Sequence, residues 1–138
     1  MKKKTIYFGF ICIMVALLSF VSVNGSERAL GVRTITHSDT LYFNDVNGTQ
    51  RSVNYTLVFT INSDTNGRYT SHKYKSISFG SSSYATFTYN SLQLLSTNST
   101  GSLVNLRLKV NCKLKNSTIT RTASDDFSYS TYGPYSLR

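Results

Sequence analysis

Val104–Lys115 reads VNLRLKVNCKLK. Its even positions, Val104, Leu106, Leu108, Val110, Cys112 and Leu114, are apolar; its odd positions, Asn105, Arg107, Lys109, Asn111, Lys113 and Lys115, are polar. Successive side chains of an extended strand point to opposite faces, so this alternation predicts a half-buried β-strand. One face enters a core. The other meets water and carries four cations, which span about 27 Å from Arg107 to Lys115 at a strand's rise per residue.

The same period of two recurs on either side. Val32–His37 and Thr40–Phe43 read as two short strands separated by a Ser38-Asp39 break. Ser52–Ile61 is longer, with Val53, Tyr55, Leu57, Phe59 and Ile61 on one face. Asn47-Gly48 and Asn66-Gly67 are hairpin-turn pairs. Arg68–Phe79 reads as an edge strand guarded by Lys73 and Lys75. Tyr84–Leu95 is a strand whose pattern slips near Asn90-Ser91, the mark of a bulge. A last strand runs from Thr118 to about Tyr129. If Asn116-Ser117 is a two-residue loop, Arg107 faces Asp126, Lys109 faces Ser124, Asn111 faces Thr122 and Lys113 faces Thr120. No like charges then oppose each other. About seven strands with turns every 8–12 residues predict an all-β antiparallel sandwich, with a small barrel as the alternative.

The front of the chain has a different character. Lys2, Lys3 and Lys4 precede an apolar run from Ile6 to Val23, and Val23-Asn24-Gly25 supplies small or short residues before Ser26. That order predicts a signal helix over residues 1–25, cut between Gly25 and Ser26, and a single secreted β-domain over 26–138. The run of about 18 residues exceeds the usual signal core, so an uncleaved signal-anchor is the alternative. Cys112 is the one cysteine beyond the signal, so no intramolecular disulfide forms there. On the apolar face it acts as a small hydrophobe of low reactivity. Sparse cysteine fits a bacterial exported protein.

The chain carries 15 Lys+Arg against 6 Asp+Glu, a formal net charge of +9. Lys2, Lys3 and Lys4 contribute three of those charges and leave with the signal. The remainder lies within the ordinary range for a soluble domain and does not by itself demand a polyanion.

Enzyme chemistry finds little support. Asp45 and Asp64 fall in turns, where aspartate bonds its own backbone. Asp125 and Asp126 are adjacent, so in a strand they point apart and cannot work as a pair. His37 and Asp39 share a face but no marked nucleophile joins them, and no G-x-S-x-G is present. Zinc finds no cysteine cluster, and His37 and His72 are distant in sequence. Asn62–Gly67, NSDTNG, copies part of a calcium loop but puts Lys73 where a bidentate glutamate belongs, so a turn explains it better. Beyond the signal segment, four N-x-[ST] sequons, at Asn47, Asn54, Asn98 and Asn116, are close to what so Ser- and Thr-rich a chain contains by composition.

The expectation is a secreted, non-enzymatic protein without cofactor or metal, acting at the cell envelope or a host surface. Its ligand-binding residues would be Arg107, Lys109, Lys113 and Lys115, joined by Tyr129, Tyr132 and Tyr135. A basic, tyrosine-bearing surface suits an anionic cell-wall polymer, an acidic polysaccharide or anionic lipid headgroups. Nucleic acid is not expected for an exported protein, and membrane contact is expected only through the signal segment. A bacteriocin-like toxin acting on membranes is the first alternative. A secreted inhibitor or immunity protein with a protein partner is the second.

Overall fold

The computed structural model describes residues 31–132. The signal segment 1–25, the Gly25–Ser26 cut and Tyr135 lie outside them. The described residues form six strands: β1 (Val32–Asn44), β2 (Gln50–Ser63), β3 (Tyr69–Phe79), β4 (Ala85–Thr97), β5 (Leu103–Leu114) and β6 (Thr120–Ser130). They make two antiparallel three-stranded sheets, in the orders β1-β2-β3 and β4-β5-β6. The fold is all-β.

The count is six rather than seven because Ser38-Asp39 does not break β1. The β1–β2 ladder runs on through Ser38↔Thr56 and Asp39↔Tyr55. Two side-chain bonds satisfy the polar groups there without leaving the strand. Ser38 and Thr56 share a hydroxyl bond of 3.0 Å, and Asp39 Oδ1 accepts from the Thr40 N–H at 2.8 Å. Elsewhere the pattern holds. The β5–β6 register pairs Arg107 with Asp126, Lys109 with Ser124, Asn111 with Thr122 and Lys113 with Thr120. The β4–β5 register slips between Tyr89 and Ser91. β3 is an edge strand, and a register shift leaves Lys75 as its extra residue opposite Val58/Phe59.

Three of the hairpin turns use one chemical solution. Asp45, Asp64 and Asn98 each stand three residues before a glycine, Gly48, Gly67 and Gly101, whose φ is +79°, +80° and +72°. Each of those glycine N–H groups donates back to the Asx carbonyl. Each Asx Oδ1 accepts two further N–H groups of its own turn: Asn47 and Thr49, Asn66 and Arg68, Ser102 and Leu103. The Asx side chain replaces a backbone acceptor while the glycine supplies the left-handed residue the turn needs. Asp64 is thus engaged inside its turn.

The two sheets share one core. Leu41, Leu57, Phe59 and Ile61 meet Val104, Leu106, Leu108, Val110, Cys112 and Leu114, all essentially without solvent exposure. Full burial of each large aliphatic or aromatic side chain stabilises by about 1.5–3 kcal/mol. Ring contacts tie the layers: Phe43 to Phe87 at 5.3 Å and Phe59 to Phe127 at 5.7 Å between centroids. β2 and β5, the central strand of each sheet, supply most of this core. The edge strands meet in two seams, β1 with β6 and β3 with β4. Tyr74 stacks on Tyr89 at 3.7 Å across the second seam, and His72 Nε2 lies 2.7 Å from the Leu92 carbonyl oxygen.

Candidate functional site

Two regions hold the residues with chemistry to offer. The first is the outer face of β4-β5-β6. The even residues of β5 fill the core, so the odd ones form a row down the middle of that face. Thr86 and Thr88 flank it from β4; Thr120, Thr122, Ser124 and Asp126 flank it from β6. The cations along the row differ in circumstance. Arg107 donates from Nε to Asp126 Oδ1 at 2.7 Å and from Nη2 to Oδ2 at 2.9 Å, a two-pronged ion pair. That pair holds the Asp126 carboxyl below the usual carboxylate range. Lys113 Nζ reaches the Ser117 carbonyl at 3.4 Å, and Lys115 Nζ the Ser82 carbonyl at 3.0 Å. Among the described residues, neither ammonium has a counter-charge. Lys109 stands between them and Arg107, beside Ser124.

The tyrosines do not join this row. Tyr129 is an odd residue of β6, where odd residues turn inward, and it packs on the core. Tyr132 N–H donates to Ser130 Oγ at 3.0 Å, and its hydroxyl donates to the Asn66 carbonyl at 3.2 Å, tacking the end of β6 onto the β2–β3 turn. The adjacent Thr131 hydroxyl donates to the Gly67 carbonyl at 2.6 Å.

The second region is the β1–β6 seam. Inward-facing odd residues of β1 put His37 and Asp39 there, and inward-facing odd residues of β6 put Asp125, Phe127 and Tyr129 opposite. The His37 ring stacks on Phe127, with centroids 4.1 Å apart and an angle of 23°. Its Nδ1 lies 2.8 Å from the Tyr129 hydroxyl, and its Nε2 lies 3.7 Å from Asp39 Oδ2. The Tyr55 hydroxyl, from β2, donates to Asp125 Oδ2 at 2.5 Å. Higher along the seam, Arg33 donates from Nη1 to the Ser130 carbonyl at 2.5 Å and joins the two sheets.

Burial dominates the electrostatics of this seam. It holds the His37 imidazole below the usual histidine range, against the pull of Asp39 and Asp125. It pushes the Asp125 carboxyl up, with the Tyr55 hydroxyl bond acting the other way. It also raises Tyr55 and Tyr129, whose phenols stay protonated. His37 Nε2 is buried and has no hydrogen-bond partner among the described residues. His37, Asp39 and Asp125 bring potential cation-ligating atoms within 4.8 Å of one another. The His37–Asp39 half of this cluster is visible in the sequence as i, i+2. Asp125, Tyr55 and Tyr129 come from distant strands, and only the packing of the sheets brings them in. Past this cluster the seam opens into a shallow groove of about 300 Å³ bordered by Tyr42, Phe43, Asn44, Gln50, Arg121 and Thr122.

Comparison with family models, with curated proteins and with solved structures finds no match to this chain.

Proposed function

We propose that the protein is a secreted, non-enzymatic binding domain that holds an anionic polymer at the cell envelope or a host surface, using the outer face of β4-β5-β6. The observation that carries this reading is the charge balance of that face. Among the described residues, Asp126 is its one carboxylate, and Arg107 engages it in both oxygens. Lys109, Lys113 and Lys115 are left as a cationic row on a flat surface of hydroxyl groups. A polyanion gains from such a row through charge and from the flanking Thr and Ser through hydrogen bonds. The recognition surface is lysine and hydroxyl in character, since Tyr129 and Tyr132 are engaged elsewhere. The chemistry fits teichoic acid, acidic polysaccharide and anionic headgroups through the same phosphate or carboxylate groups.

The test is binding of the purified protein to a teichoic acid preparation and to anionic liposomes across a salt titration. The comparison is a Lys109→Ser/Lys113→Ser/Lys115→Ser variant whose fold is checked by circular dichroism. Binding that falls steeply with salt and is lost in the variant supports the reading. Binding unchanged in the variant, or none to either target, overturns it.

A further inference from the structure

We propose that the β1–β6 seam is a binding site for a divalent transition-metal cation, Zn²⁺ foremost, ligated by His37 Nε2 and the carboxylates of Asp39 and Asp125. This site is separate from the lysine row and lies on the other face of β6.

Three observations converge on it. The first is a buried ring nitrogen without a hydrogen-bond partner among the described residues. His37 is only 8% exposed, and no described residue hydrogen-bonds its Nε2. A buried polar atom left unpaired is costly, and native proteins seldom leave one without a reason. The Asp39 Oδ2 lies 3.7 Å from this atom.

The second is spacing. Two ligands each 2.0–2.2 Å from a tetrahedral ion stand roughly 3.3 Å apart. His37 Nε2 and Asp39 Oδ2 are 3.7 Å apart, and one ring nitrogen of His37 and one carboxylate oxygen each of Asp39 and Asp125 fall within 4.8 Å of one another. Asp39 is the exposed member, with half its side chain in solvent, so a small rotation brings it in and leaves an entry path.

The third is the support behind the ligands. Metal-bound histidines donate their other N–H to an oxygen, which fixes tautomer and ring orientation. His37 Nδ1 has the Tyr129 hydroxyl at 2.8 Å for this, and Phe127 holds the ring flat. Ligating carboxylates are themselves hydrogen-bonded. Asp125 has the Tyr55 hydroxyl. In the tautomer that donates Nδ1–H to Tyr129, the Nε2 lone pair is left free to ligate a cation. Two carboxylates balance a 2+ charge, and the imidazole nitrogen favours Zn²⁺ over Ca²⁺ or Mg²⁺, which take oxygen.

The test uses tag-free, chelator-treated protein titrated with ZnCl₂ by calorimetry, with imidazole resonances followed by NMR. One Zn²⁺ per chain is expected, with the His37 Nε2 resonance shifting and that of His72 unmoved. Asp39→Asn, an exposed change that leaves the core intact, should weaken binding by about 10–100-fold or more. Tyr129→Phe should weaken it by about 10-fold, and His37→Gln should abolish it. Ca²⁺ and Mg²⁺ at the same concentrations should not compete. No Zn²⁺ binding, equal binding by Asp39→Asn, or a shift at His72 in place of His37 would overturn the site. The lysine row takes no part in this readout, so failure here leaves the polymer-binding reading untouched.

Discussion

Asp125 and Asp126 are neighbours in the chain and serve opposite sides of one sheet. Asp125 turns in and accepts the Tyr55 hydroxyl at 2.5 Å; Asp126 turns out and accepts two bonds from Arg107. The pleat of β6 alone sends one carboxylate to the seam and the other to water. Alanine at each should therefore have unequal effects in metal-free protein. Asp125→Ala leaves the largely buried Tyr55 hydroxyl unpaired and should cost about 1–3 kcal/mol. Asp126→Ala breaks an exposed pair and should cost under about 1 kcal/mol. Urea unfolding of the two variants checks this; equal losses would contradict it.

The same Asp126 gives the polymer reading a second handle. Asp126→Asn frees Arg107 and adds one positive charge to the lysine row. Binding to a polyanion should strengthen, and its logarithmic salt slope should steepen by roughly one. Weaker binding in this variant would contradict the assignment of that face.

Asp45 ties stability to acid. The Arg51 side-chain bond at 2.9 Å, followed by the turn amides of Thr49 and Asn47, holds its carboxyl below the ordinary value near 3.8. The folded protein therefore binds that proton less readily than the unfolded chain. The resulting stability is present above the unfolded value and is lost as pH falls through the lower folded one. Thermal melts from neutral pH down to about pH 2 should show wild type losing stability in this acid window. Asp45→Asn should start less stable at neutral pH and converge with wild type in acid. Parallel curves would rule out this linkage.

Cys112 has no solvent exposure, and burial pushes its thiol up to about 11. The thiolate is the reactive form, so little is present at neutral pH and none is accessible. A thiol reagent at pH 8 should leave the native protein unlabelled at Cys112, then label it fully in denaturant. Native labelling at this residue would show that the β5 core opens readily.

Gly48 and Gly67 occupy equivalent turns with nearly the same φ but different surroundings. A Cβ on Gly48 meets open space, whereas one on Gly67 overlaps the Tyr132 hydroxyl. Gly48→Ala should cost about 1–2 kcal/mol, the backbone term alone. Gly67→Ala should cost more, because it also dislodges Tyr132 from the Asn66 carbonyl. The excess should disappear in a Tyr132→Ala background.

Much of the fold was legible because it is local. The β5 alternation, the hairpin register that joins Lys113 to Thr120, and the bulge at Tyr89/Ser91 all follow from period two and turn chemistry. Ser38-Asp39 misleads because its residues favour turns, while the hydroxyl of Thr56 and the amide of Thr40 let them remain in a strand. The seam was legible only in half. His37 and Asp39 share a face of one strand, but Asp125 arrives from the far end of the chain through sheet packing, a relation no periodicity encodes. The contact of Tyr129 with His37 is of the same kind: the parity of β6 turns the tyrosine inward, and sheet packing sets it beside the imidazole.

Every backbone ladder in the described residues joins strands consecutive in sequence. The hydrogen-bonded pairings of this all-β protein are therefore all hairpins between neighbouring strands. Loop-closure entropy is small for each hairpin, and folding rates rise as contacts become more local. The packing of the two sheets on one core joins distant parts of the chain, and it also brings Asp125 and Tyr129 to His37. The His37 cluster therefore exists only where the two sheets are packed together.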